Sequence, residues 1–230
     1  IIQNQEALLR GEKTKAYEPP TLLITIGNSL ISKNLKIFLR EHPPKAHWHI
    51  KNNARLNDGL QGLTESIIIE PSSFFQQLLP HLGKANSRSE QLPRKDITFN
   101  KEKQKFFNRL SFGELKAFFM LIKALPGNIN LHLANSMTVR YANFIGGLKE
   151  DIEVFCNRGT SGIDGSNSTA VGSAMATSKM NVLVTGDLAF FYDRNAFWHH
   201  ENMSNLRIFV LNNNGGGIFD MIPGPKKQTN

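Results

Sequence analysis

Asn181-Val182-Leu183-Val184-Thr185-Gly186-Asp187-Leu188 and Leu206-Arg207-Ile208-Phe209-Val210-Leu211-Asn212-Asn213-Asn214-Gly215 are the two stretches whose reading decides the fold. Each opens on a short apolar, β-branched run and closes on Gly or Asn, the mark of a parallel strand ending at a functional rim. In open α/β sheets, ligands sit outside the carboxyl ends of such strands. One end therefore offers the Asp187 carboxylate, and the other a side-chain amide and a backbone carbonyl. This all-oxygen set suits a hard ion such as Mg²⁺, with phosphate oxygens completing its octahedron.

Working outward, Ser111-Phe112-Gly113-Glu114 has capping-box spacing. It predicts a helix that buries Leu115, Phe118, Phe119, Ile122 and Leu125 and stops at Pro126-Gly127. Strands are then expected over 129–134, 152–155, 182–185 and 206–211, alternating with helices as in a parallel, doubly wound sheet. All four strands run into polar turns. The first ends in Asn135-Ser136, with Ser136 placed to cap a helix carrying Arg140. The second ends in Asn157-Arg158-Gly159-Thr160-Ser161-Gly162-Ile163-Asp164-Gly165. Asn and Gly tolerate positive φ, so turn geometry alone explains any one of these loops. Four in succession on one rim point to a ligand. The small-residue helix expected over 168–177 suits close packing on the sheet, with an N-terminus able to face an anion.

The first half reads as a smaller α/β unit. A strand over 21–26 runs into the turn Gly27-Asn28-Ser29-Leu30 and a helix with Leu35, Ile37, Phe38 and Leu39. Strands over 46–50 and 66–69 follow, joined by the loop 52–62, before Pro71-Ser72 opens a second helix. Residues 1–20 are polar, end in Pro19-Pro20 and read as a lead-in. Residues 83–105, rich in Lys, Arg, Asn, Ser and Gln, read as a linker.

The 230 residues carry a formal net charge of +8. Residues 1–150 hold 21 Lys/Arg against 12 Asp/Glu, and residues 151–230 hold 6 against 7. These cations are scattered and do not interleave with aromatics, which argues against nucleic acid and for small anionic ligands. Cys156 is the only cysteine, so no internal disulfide forms and a reducing cytoplasm is the expected setting. No apolar run approaches the roughly 20 residues that span a bilayer. Starting at Ile1 and stopping among polar residues at Asn230, the chain is read as a fragment.

Gly186-Asp187 after one strand and Asn212-Asn213 after the next, with Asp187 and Asn213 26 positions apart, resemble the diphosphate-binding motif of thiamine-diphosphate enzymes. Three further segments sharpen the likeness: Asn135-Ser136-Met137-Thr138-Val139-Arg140, the 157–165 loop, and Asn214-Gly215-Gly216-Gly217-Ile218-Phe219. Together they resemble the MenD family, 2-succinyl-5-enolpyruvyl-6-hydroxy-3-cyclohexene-1-carboxylate synthases of menaquinone biosynthesis. The resemblance runs from about residue 21 to 225 and is strongest over 129–225.

It implies parallel doubly wound α/β sheets, with a partial central domain at 1–82, a linker at 83–105 and a diphosphate-binding domain at 106–230, truncated at its C-terminus. Asp187, the amide oxygen of Asn213 and the carbonyl of Gly215 would hold Mg²⁺, or Mn²⁺, on the diphosphate. Asn135, Ser161, Gly162, Gly186, Leu188 and Ala189 would join the cofactor site. Leu188 stands where the wider superfamily has Gly, itself a MenD-like feature. Ile163 would lie beneath the cofactor and keep it bent, while Ile218 and Phe219 would wall the pocket. The implied reaction decarboxylates 2-oxoglutarate and adds the succinyl-semialdehyde carbanion to isochorismate. Ser136, Arg140, Arg158 and Lys33 match substrate-contacting positions. The active site would lie between subunits of a homodimer or homotetramer. The activating glutamate falls outside this sequence, so residues 1–230 alone are expected not to turn over. A different thiamine-diphosphate enzyme, such as a 2-oxo acid decarboxylase or acetolactate synthase, handles smaller and less charged donors than Arg140 and the 157–165 run suggest. A non-catalytic nucleotide-binding module would need a Gly-rich spacing that Gly27-Asn28-Ser29 lacks.

Overall fold

The computed structural model describes residues 4–9, 18–27, 29–55, 58–83 and 91–220, leaving aside the side chains of residues 7, 91–96, 219 and 220. Two compact units meet at Lys103 and Gln104.

In the first unit a short helix, α1 (Gln5–Leu8), falls in the stretch expected as an irregular lead-in. Its Asn4 is buried, donating to Asn100 and accepting from Lys103, which satisfies the polar run locally. Three parallel strands, β1 (Leu22–Ile26), β2 (Ala46–Lys51) and β3 (Glu65–Ile68), pair in the order β1-β2-β3. Helix α2 (Lys33–Glu41) links the first two, and α3 (Pro71–Leu78) follows the third. Ser32 caps α2 by accepting from Leu35 N at 3.1 Å. Phe38 and Leu39 of α2 pack with Leu60 from the 52–62 loop into a small core, each side chain worth about 1.5–3 kcal/mol of burial.

Helix α4 (Gln91–Arg109) occupies much of the stretch read as a linker, and the division between the two units falls within that stretch. The polar, Lys-rich residues are good helix formers, and Phe107, fully buried, stacks on Phe119 at 4.1 Å between ring centres.

The second unit holds helix α5 (Glu114–Ala124) and four strands: β4 (Asn130–Leu133), β5 (Glu153–Phe155), β6 (Asn181–Gly186) and β7 (Leu206–Leu211). All pairings are parallel, in the order β5-β4-β6-β7. Helices α6 (Met137–Ile145), α7 (Ser166–Ala176) and α8 (Asp187–Tyr192) follow β4, β5 and β6. The central strands β4 and β6 are buried on both faces, β6 through the apolar run Val182-Leu183-Val184 and β4 with the polar Asn130 and His132 alternating with leucines. At the amino edge, buried Asn181 ties the layers together. Its Oδ1 accepts from His132 Nε2 at 3.0 Å, Asn130 Nδ2 at 3.3 Å and Ser173 Oγ at 2.7 Å. The opposite, carboxyl edge is left for the loops.

Candidate active site at the carboxyl edge of the second sheet

β6 and β7 are in register through Gly186 and Leu211, so Asp187 and Asn212-Asn213 leave the sheet side by side. A cleft of about 110 Å³ opens there, and all four strand ends contribute to its wall. β4 supplies Asn135, Ser136, Met137 and Thr138, and the loop after β5 supplies Ile163. β6 supplies Gly186, Asp187, Leu188 and Ala189, and β7 supplies Asn213, Gly216, Gly217 and Ile218. Asn214, Gly215 and Gly216 all have positive φ (60°, 117° and 44°), a run that Gly and Asn adopt with least strain. The turn presents Asn213 to the cleft. Asn213 Oδ1 accepts from Gly215 N at 3.2 Å, and Asp187 Oδ1 accepts from Leu188 N at 2.9 Å.

The expected residues separate into groups. Asn135, Ser136, Ile163, Gly186, Asp187, Leu188, Ala189, Asn213 and Ile218 share the cleft. Arg140, Arg158, Ser161, Gly162 and Gly215 stand off its wall, and Phe219's side chain lies outside the described residues. Arg140, exposed on α6, turns back to the Ser136 carbonyl at 2.5 Å. Arg158 is half-buried. It donates from Nη1 to Asn135 Oδ1 at 2.7 Å, while its Nε is buried without a partner among the described residues. Ser161, at φ 63°, donates weakly to Arg158 O at 3.5 Å. Lys33, in the first unit, is exposed in the first turn of α2. A cation there opposes the helix dipole at a cost of about 0.3–1 kcal/mol.

Three local expectations are corrected. Ser136 precedes α6 but makes no capping bond, because at φ 72° and ψ −126° its side chain is not aligned with the first-turn N–H groups. Ser111 does not cap α5 either; Gly113 is the N-cap, with no side-chain bond. The α7 N-terminus is served by the protein's own anion. Asp193 accepts from Ser168 N and Ser168 Oγ, each at 2.7 Å, the arrangement that a helix dipole favours.

Glu114, read from the sequence only as part of a capping box, also stands in the wall. A helix leading into a parallel strand runs antiparallel to it, so its first turn stands at the carboxyl edge, and an acidic first residue there was the available signal. Its carboxylate accepts from Tyr141 Oη at 3.2 Å and from Asn213 Nδ2 at 3.5 Å. Burial, with Glu114 adding its charge and hydrogen bond, pushes the Tyr141 phenol up to about 12. Burial also raises the Cys156 thiol, against the opposing charge of Arg158.

One carboxylate and one amide oxygen on neighbouring strand ends, in a cleft that also has the apolar side chains of Met137, Ile163, Leu188 and Ile218, fit a hard cation that draws further oxygens from its ligand. No cluster of three or more His, Cys, Asp or Glu that could hold a metal alone occurs among the described residues. No protein-family model matches the chain. Curated relatives do. A 2-succinyl-5-enolpyruvyl-6-hydroxy-3-cyclohexene-1-carboxylate synthase of Bacteroides fragilis is 45% identical over 226 residues, 97% of this chain and 40% of the relative. The synthase of the same name from Cytophaga hutchinsonii is 44% identical over 238 residues, 98% of this chain and 41% of the relative. The chain belongs to this synthase family. The Flavobacterium johnsoniae member is 42% identical over 210 residues, covering 91% of this chain and 38% of its own length. The chain thus spans about 40% of the length of the family members it matches.

Proposed function

We propose that this chain supplies the metal- and diphosphate-binding half of a thiamine-diphosphate site in a 2-succinyl-5-enolpyruvyl-6-hydroxy-3-cyclohexene-1-carboxylate synthase of menaquinone biosynthesis. The observation that carries the reading is the meeting of Asp187 and Asn213, with all four strand-end segments, in one cleft. The names of the relatives support the reaction. The Asp187 carboxylate, the Asn213 amide oxygen and the Gly215 carbonyl would hold Mg²⁺ or Mn²⁺, since both prefer oxygen ligands. Bound thiamine diphosphate supplies the electron sink for decarboxylation and carbon–carbon bond formation.

The chain's own residues bind, orient and exclude water. Ile163, Leu188, Ala189 and Ile218 make the wall apolar, which keeps water from the reacting centre. The substrates 2-oxoglutarate and isochorismate are dianions, and Arg158, Arg140 and Lys33 are the cations offered to them. An Arg suits a carboxylate because its fork donates two parallel N–H bonds. Arg158 is the cation tied directly to the cleft wall, through Nη1 to Asn135 Oδ1 at 2.7 Å. Ser136 adds a hydroxyl at the wall. The glutamate that activates the cofactor would come from another part of the protein, in a neighbouring subunit of a homodimer or homotetramer. A cytoplasmic setting fits the family, and no helix among the described residues is long and apolar enough to cross a membrane.

The test uses the full-length protein with thiamine diphosphate, Mg²⁺, 2-oxoglutarate and isochorismate, and follows products by mass spectrometry. The reading predicts the succinyl-cyclohexene carboxylate adduct with both substrates present. Consumption of 2-oxoglutarate with no adduct formed would replace it with a simple decarboxylase.

A further inference from the structure

Asn135, 2% exposed at the end of β4, joins three parts of the rim through one amide. Its Nδ2 donates to the carbonyls of Asn157 at 2.7 Å and Gly162 at 2.6 Å. Its Oδ1 accepts from Arg158 Nη1 at 2.7 Å and from the Cys156 thiol at 3.6 Å. A primary amide has two N–H donors and two acceptor lone pairs, so all four positions are matched within the protein. The two donated bonds grip the loop near its start and immediately before Ile163. Asn157 extends the brace, donating from Nδ2 to Gly165 O and Thr169 Oγ1, each at 3.0 Å, where the loop enters α7.

Taking the reaction assigned above as its basis, we infer that Asn135 is a positioning residue: it sets where the Arg158 guanidinium and the Ile163 wall stand, and acts on substrate through them. The chemistry requires an amide. A carboxylate of the same shape would turn oxygen toward the Asn157 and Gly162 carbonyls, where donors are needed. A hydroxyl is too short to bridge both carbonyls and still receive Arg158. With Nη1 fixed on a buried acceptor, the long Arg158 side chain is ordered before substrate arrives. Ordering a flexible cation in advance removes an entropic penalty from binding.

A double-mutant cycle in the full-length enzyme tests this. At saturating thiamine diphosphate and Mg²⁺, Asn135→Ser is expected to lower kcat/KM for 2-oxoglutarate at least tenfold. Because Asn135 works through Arg158, Asn135→Ser combined with Arg158→Lys should be within threefold of Arg158→Lys alone. Independent, multiplying effects would overturn the inference. Should Asn135→Ser not fold, Asn135→Asp carries the same cycle. A readout free of turnover separates this inference from the assigned reaction. Crystal structures of the variant should show Arg158 and the loop 157–162 displaced or in several conformers. If both stay unmoved, the inference fails even where the wild type makes the adduct. If they move in a protein that makes no adduct, only the assigned reaction fails.

Discussion

Replacing Asn181 with Ala would loosen the edge of the sheet opposite the cleft. Asn181 is fully buried, and its Oδ1 receives His132 Nε2, Asn130 Nδ2 and Ser173 Oγ while its Nδ2 donates to Lys179 O at 2.8 Å. Two of the three donors have relief: Asn130 Nδ2 also reaches Ser173 Oγ at 3.4 Å, and Ser173 is only half-buried. His132, 3% exposed, loses its partner with no substitute in place, while the Lys179 carbonyl keeps Asn205 Nδ2 at 3.2 Å. At about 1–3 kcal/mol for a buried group left unpaired, the loss is about 1–3 kcal/mol. That is a large share of the roughly 5–15 kcal/mol that holds a domain folded. Urea unfolding followed by circular dichroism reads it as a midpoint lowered by about 0.5–1.5 M at an unchanged slope of about 2 kcal/mol/M. A loss below about 1 kcal/mol would refute the idea that this amide locks β4, β6 and α7 together.

Gly217→Ala places a Cβ 2.8 Å from Asn213 Nδ2 and 3.3 Å from its Cγ. The amide, at the end of a flexible side chain, yields, so stability should change by less than about 1 kcal/mol. Mg²⁺ affinity in the presence of thiamine diphosphate should fall about tenfold by calorimetry, and an unchanged affinity would remove Asn213 from the metal site. Burial lowers the pKa of His47, against the opposing charge of Asp58, and of His132, against its bond to Asn181. Both therefore bind protons more weakly when folded than at the unfolded value of about 6.5. Their contribution is whole above pH 6.5 and is lost as pH falls below it toward the folded values. Melting temperatures compared at pH 7.5 and 5.5 should drop at the lower pH, and the drop should shrink in His132→Gln.

The strands and the rim were legible because their signals are local. Val182, Leu183 and Val184 announce a strand buried on both faces, and Gly186-Asp187 announces where it ends. What escaped depends on residues distant in sequence. Helix α4 is polar enough to pass as a linker, and Phe107 finds its place only when Phe119 arrives from α5. Ser136 was expected to cap a helix, yet its backbone takes a positive φ where the chain turns into α6. The α7 N-terminus read as open to an anion, because Asp193 lies 25 positions beyond Ser168 and closes the gap only in three dimensions. Asn135 was readable as a rim residue, but its four partners come from a loop more than 20 positions away.

The central claim is that Asp187 anchors a metal-bound diphosphate at the edge of the second sheet. Its most direct test is the affinity of the full-length protein for thiamine diphosphate at saturating Mg²⁺, comparing wild type with Asp187→Ala by calorimetry. The account predicts tight, Mg²⁺-dependent binding to the wild type and at least a tenfold weaker Kd in the variant. Equal affinity in the two proteins, or binding indifferent to Mg²⁺, would contradict it.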